Sequence, residues 1–241
     1  VMISLILPRQ SCNYLGVAMD PTSQPLPLRV DIVSDVVCPW CIVGFRQLSK
    51  ALEAMPGAFD VEFHWHPFEL NPAMPPEGQG LREHLAEKYG NTSQHNGGAR
   101  ERLIALGDSL GFRFDYSAGL RMVNTFSAHQ LLYWAAGQGR QTELKLALFE
   151  AFFSNGEDVS DLEVLAATAS KVGLNKKLAL EVITDQRHSK DVRAEQQHWI
   201  EQDVYSVPVF VFNEKYSVPG AQESETFIRY LRKIWHKESV E

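Results

Sequence analysis

Leu28 to Val33 carries β-branched residues directly after a proline-rich stretch, which predicts a strand. Ile42, Phe45, Leu48, Leu52 and Met55 then recur at spacings of three and four. That period predicts a helix, and Pro56-Gly57 stops it. Val61 to His66 alternates apolar and polar, so it reads as a second strand ended by Pro67. A proline-rich connection covers 67–79, and from about Gly80 to Asp203 the pattern is helical. Leu103, Leu106 and Leu110 repeat at helical spacing, as do Leu144, Leu148, Ala151 and Phe152. Ser160 to Glu163 reads as a capping box with Glu163 as its third-position acid, and Gly173 closes that helix. Strand character returns at Val207–Phe212. A turn at 213–215 leads into Tyr216–Val218, a hairpin. Phe227, Tyr230, Leu231 and Ile234 share one face of a last helix ending near Lys237.

The order is β-α-β, a helical block, then β-β-α. Ends that make sheet around a middle that makes helix predict an α/β protein. The arrangement is thioredoxin-like, with a large all-helical insertion. The expected segments are an N-terminal extension at 1–27, sheet domain at 28–78, insertion at 79–188 and sheet domain again at 189–241. Residues 1–18 read as a tail, with Met19 a plausible start. The apolar run Met2–Leu7 is too short for a signal-peptide core, which leads to the expectation of a cytoplasmic protein.

Composition narrows the function. The 241 residues are 44% hydrophobic and 22% charged, enough for a full core without staples. No apolar run reaches the roughly 20 residues that span a bilayer, so no membrane partner is expected. A net charge of −7 with no basic stripe argues against nucleic acid. The three cysteines, Cys12, Cys38 and Cys41, are too few for a disulfide scaffold. Cys12 falls in the tail and reads as incidental.

Cys38-Pro39-Trp40-Cys41 sits between the first strand and the first helix. It reads as a dithiol–disulfide couple, half a zinc site, or two buried cysteines without a role. The local chemistry favours the couple. Pro39 suits the first helical position, which makes Cys38 the N-cap. Free backbone N–H groups and the helix dipole there favour a thiolate, so Cys38 is expected to attack. Cys41, one turn on and facing inward, is expected to resolve the mixed disulfide. Zinc would need two further ligands, for which His64 and His66 are the candidates. No metal is expected. Trp40 is either a bystander aromatic or a contact for a peptide or small thiol. Because it shares no proton with a thiolate, it predicts a less oxidising disulfide than a histidine there would.

Val207-Pro208 precedes a dense apolar strand, as a proline without an N–H to donate must. Beside a thioredoxin-type CxxC the proline is expected to be cis, which leaves the Val207 backbone free to pair with an extended substrate.

These residues carry a resemblance. Ser34 to Cys41, Pro67-Phe68-Glu69-Leu70-Asn71-Pro72, Asn124 to His129, and Val207 to Phe212 with Gly220-Ala221-Gln222 together resemble the FrnE-like branch of DsbA-family thioredoxin-fold oxidoreductases. This superfamily also holds 2-hydroxychromene-2-carboxylate isomerases and kappa-class glutathione transferases. The resemblance spans about residues 28–235. It implies thiol–disulfide exchange through Cys38 and Cys41, with Pro39, Trp40, Val207 and Pro208 lining the substrate side and Pro208 cis. It implies no cofactor, with glutathione a possible co-substrate, and partners that are protein or small thiols and disulfides. No cysteine follows Cys41, which excludes the second, C-terminal pair of some relatives. Ala221-Gln222 stands where the glutathione-binding branch places Ser-Asp.

Asp35, His129, Asn124, Asn71 and Gly44 each have a bland reading beside a functional one. Asp35 is a loop carboxylate or a proton relay to Cys41. His129 and Asn124 are capping residues or cleft residues. Asn71 is a turn residue, and Gly44 permits close packing or ligand access. Competing with the oxidoreductase are a glutathione-dependent isomerase or transferase and a non-enzymatic, chaperone-like binding module.

Overall fold

The computed structural model describes residues 24–89, 93–116 and 119–239. The reading of residues 1–18 as a tail, and Cys12 with it, lies outside these. Strand β1 (Leu26–Ser34) leads through a short turn into helix α1 (Pro39–Glu53), and β2 (Phe59–Pro67) returns beside β1. After the insertion come β5 (Val209–Phe212), β6 (Tyr216–Pro219) and the last helix, α9 (Ser224–Glu238). The four strands form one sheet in the order β2-β1-β5-β6, with β1 parallel to β2 and the other neighbours antiparallel.

β1 lies inside the sheet, and its residues Val30 to Ser34 are all buried. That explains its continuous rather than alternating apolar character. Val30 and Ile32 join the core made with α1 and α9. Val33 points the other way and packs with Val204, Val209 and, at its edge, Trp199. β2 is an edge strand and keeps the predicted alternation. Phe63 and Trp65 meet Phe45 of α1, while His66 turns to the opposite face.

The insertion runs through β3 (Gln79–Gly80), α2 (Leu81–Tyr89), α3 (Ser93–Ser109), β4 (Arg121–Met122), α4 (Phe126–Ala136), α5 (Gln141–Phe149), α6 (Leu162–Lys171) and α7 (Lys176–Thr184). α8 (Ser189–Glu201) then packs on β2. Two details depart from expectation. β3 and β4 pair as a two-residue ladder inside the otherwise helical block. The N-cap of α6 is Asp161, not Ser160: its carboxylate accepts from the N–H groups of Glu163 and Val164. Asp158 has already engaged both the backbone N–H and the hydroxyl of Ser160. Gly173, at φ +86°, follows the α6 C-cap as predicted. Among the described residues no helix is long and apolar enough to cross a membrane.

Candidate active site

The turn from β1 to α1 creates the site. The Cys38 N–H donates to the Asp35 carbonyl at 3.2 Å, and the Cys41 N–H to the Cys38 carbonyl at 3.1 Å. Pro39 opens the helix and Cys38 is its N-cap, in extended conformation. The cysteines are free thiols 3.4 Å apart. Cys38 retains 4% exposure and Cys41 none, whereas Trp40 between them is 49% exposed. Opposite, the Val207–Pro208 peptide is cis, as the sequence led us to expect. The Cys38 thiol donates to the Val207 carbonyl at 3.7 Å. Cys38, Trp40, Val207 and Pro208 are thus brought to one place, with Cys41 beneath.

The ionisation of each sulfur depends on the other. The two sulfurs titrate together. The Cys38 thiol is pushed well up, by its hydrogen bond to Cys41 and then by burial. Burial also opposes the Cys41 thiolate, but Cys38, the Ser34 hydroxyl and the Lys145 ammonium outweigh it and bring Cys41 down. The donors and the cation that favour a charge on the pair stand on its inner side.

Sequence reasoning missed Lys145. It is fully buried, with its ammonium 3.4 Å from the Ser34 carbonyl and over the rings of Phe149 and Trp65 at 5.2 and 5.5 Å. Burial lowers it to about 8, although Cys41, Asp35 and Cys38 pull in the other direction. α5 delivers it through a clamp on β2. The Gln141 side-chain amide accepts from the Trp65 N–H at 2.9 Å and donates to the Trp65 carbonyl at 2.8 Å, and the Trp65 indole donates to Thr142 at 3.0 Å. One turn along α5, Lys145 lies on the same face. A signal was present: Gln141, Lys145 and Phe149 follow i, i+4, i+8.

Asp35 is a loop carboxylate between β1 and α1, and it is fully buried. It accepts from the Leu70 N–H at 2.8 Å, and its other oxygen lies 3.2 Å from His129 Nε2 of α4. Burial would raise Asp35, but His129, Leu70 and Lys145 hold it below the usual carboxylate range. His129 is thus a buried partner of Asp35. Asn124 keeps the bland role, accepting from the Phe126 N–H at 2.9 Å ahead of α4. Asn71 is a turn residue whose carbonyl accepts from Met74. Gly44 allows close packing: a Cβ there would meet Phe210 at 3.0 Å and the Ala221 backbone at 3.3 Å. The two histidines weighed for zinc are held by carboxylates. His64 lies 3.2 Å from Glu62, and His66 lies between Asp31 and Glu195 at 2.7 and 2.5 Å. Tyr116, also missed, stands within electrostatic reach of Cys38 and is raised to about 12, chiefly by burial.

The chain has relatives among known proteins. A probable DsbA oxidoreductase from Streptomyces coelicolor is 31% identical, with a TM-score of 0.82 over 87% of this chain and 90% of that one. The uncharacterized protein YwbO of Bacillus subtilis is 26% identical over 205 residues, which is 84% of this chain and 94% of YwbO. The cytosolic disulfide reductase DsbM of Pseudomonas aeruginosa, solved with GSH, shares the fold at 14% identity. Its TM-score is 0.58 over 86% of this chain and 99% of DsbM. The model of the DsbA-like thioredoxin domain matches residues 29–232, from β1 into α9. The chain belongs to the DsbA-like thioredoxin domain family, an enzyme family of disulfide oxidoreductases.

Proposed function

We propose that this enzyme exchanges disulfides through Cys38 and Cys41, acting on protein or low-molecular-weight thiols and disulfides. Cys38 attacks, because it is the sulfur with residual exposure and it lies beside exposed Trp40. Cys41 has no path to a substrate but stands against Cys38, so it resolves the mixed disulfide. The observation that carries the reading is the free pair at the start of α1, with the outer thiol on the carbonyl that precedes cis-Pro208. An extended substrate arriving at Val207 displaces that contact and frees the Cys38 sulfur.

Glutathione belongs to this reading as a co-substrate, not as a bound cofactor. The Gln222 side chain supports that distinction, because its amide donates to the chain's own Pro219 carbonyl at 2.7 Å. A cytoplasmic setting is part of the proposal, supported by the likeness to the cytosolic disulfide reductase DsbM. Insulin reduction and refolding of scrambled ribonuclease test the function. We expect activity in at least one assay and its loss in Cys38→Ser. Full activity in Cys38→Ser would refute the assignment.

A further inference from the structure

α8 ends on a cap that turns the following residues toward the site. The Val204 N–H donates to the Trp199 carbonyl and the Asp203 N–H to the Ile200 carbonyl, both at 3.0 Å, and Asp203 stands at φ +60°. This is the bonding of a Schellman motif, which folds the chain back so that Val204 packs with Trp199. Val204 is buried with Val33 and Val209, and Val207 packs at the edge of the same cluster. The chain is thus held at 204 and at 207, and Tyr205 is left outside at 69% exposure. Its hydroxyl donates to Asp203 Oδ1 at 3.4 Å, and among the described residues its ring joins neither hydrophobic cluster.

A single exposed aromatic needs no explanation by itself. Tyr205, however, is two residues from the carbonyl that the Cys38 thiol contacts at 3.7 Å. Two residues span at most about 7 Å of backbone, so the ring is within a side chain's reach of whatever pairs with Val207. Exposed Trp40 holds the corresponding place on the helix side, two residues from Cys38.

We propose that Tyr205 is a specificity-determining residue that receives an apolar side chain of a polypeptide substrate, about two residues from the reacting cysteine. This rests on the disulfide-exchange reading above and narrows its substrate. A strand advances about 3.3 Å per residue and turns alternate side chains to one face. A substrate strand laid along 205–207 therefore brings to Tyr205 a side chain two positions from the residue opposite Val207. Tyrosine suits the task, because its ring offers a large contact area and has few torsions to freeze. Glutathione has one residue on each side of its cysteine, and neither carries an apolar side chain. Tyr205 thus favours polypeptide disulfides over glutathione disulfide.

The test uses the full chain with Cys38 and Cys41 reduced, in its natural form and as Tyr205→Ala and Tyr205→Phe. The oxidants are glutathione disulfide and the disulfide dimers of two blocked pentapeptides with cysteine at the centre. One pentapeptide has leucine at both ends and the other has glycine there. In each turnover the cysteine pair is oxidised to a disulfide and the substrate disulfide is reduced to two thiols. Alkylation and mass spectrometry follow the pair. We expect the leucine peptide, well below saturation, to oxidise the natural chain about tenfold faster than the glycine peptide. Tenfold corresponds to about 1.4 kcal/mol, part of what full burial of a leucine side chain contributes. Tyr205→Ala should lose most of this preference and Tyr205→Phe should keep it, because the ring makes the contact. The variants should keep the fold, since Tyr205 supports neither cluster. Equal rates for the two peptides in the natural chain, or a preference that survives in Tyr205→Ala, would overturn the proposal and leave disulfide exchange intact. Failure of all three disulfides to oxidise the natural pair would instead overturn the exchange reading, and the role of Tyr205 with it.

Discussion

Gln141 satisfies the backbone of Trp65 twice, through the N–H at 2.9 Å and the carbonyl at 2.8 Å. β2 is the outer strand of the sheet on that side, and its free backbone groups would otherwise invite pairing with another chain. A side-chain amide does the work of a fifth strand at one position. The same clamp sets the rotation of α5 and so the place of Lys145.

Gln141→Ala removes both bonds and leaves two backbone groups in a half-buried setting. We expect a loss of about 2 kcal/mol in unfolding free energy, at the middle of the range for uncompensated buried polar groups. Urea denaturation measures it. A variant with natural stability would show that the clamp is incidental.

The Asp35–His129 pair is more deeply buried than the clamp, with side chains about 1% exposed. His129→Phe keeps the ring volume and removes the bond to the carboxylate. A bond to a charged group contributes about 1.5–3 kcal/mol. We expect a loss in that range in unfolding free energy, read from the denaturant midpoint. Asp35, without its partner, should take up its proton at higher pH, visible by carboxyl infrared absorbance.

How much of this was legible in the chain depends on how each element is buried. β1 and β2 announced themselves because one is buried on both faces and the other alternates. The helix after Cys38 did so because Phe45, Leu48 and Ala51 meet one core. β3 and β4 were not legible, since two residues cannot display a period. The end of α5 was blurred by a π-helical turn, Glu150–Ser154, which buries four consecutive residues from Ala151 and breaks the 3.6-residue rhythm. Lys145 was passed over because lysine is almost always solvated and Leu144 and Leu148 already accounted for an apolar face. The Cys38–Cys41 pair and cis-Pro208 were visible from spacing and resemblance. Buried Lys145 was not, because it arrives from α5, far downstream in the chain.

His66 joins β2 to α8 between Asp31 and Glu195, with the Trp199 ring 4.8 Å away. Burial would lower its pKa, but the two carboxylates raise it above the ordinary value. A raised histidine contributes stability that is complete below the unfolded pKa of about 6.5 and is lost as pH rises through the folded value. Thermal melts should therefore show Tm falling above about pH 6.5, with His66→Gln less stable at about pH 6 and the difference shrinking as pH rises. Asp31 behaves oppositely. Burial opposes its charge, yet His66 and Arg29 bring it down to about 2. Its contribution is present above about pH 4 and is lost as pH falls toward about 2. A His66→Gln difference that grows with pH would contradict the pairing.

Trp40 is exposed beside Cys38 and supports little of the fold. Trp40→Ala should change stability by less than about 0.5 kcal/mol. If it contacts substrate, KM for a peptide disulfide should rise severalfold. The alkylation rate of Cys38 by a small reagent should stay close to natural. Steady-state kinetics on insulin beside iodoacetamide trapping separates the two effects.

That Cys38 attacks and Cys41 resolves is tested most directly in Cys41→Ser, exposed to glutathione disulfide and followed by peptide mass spectrometry. We expect a stable glutathione adduct on Cys38, absent from the natural chain after the same interval because Cys41 has expelled it. No adduct on Cys38 in Cys41→Ser would contradict this division of roles.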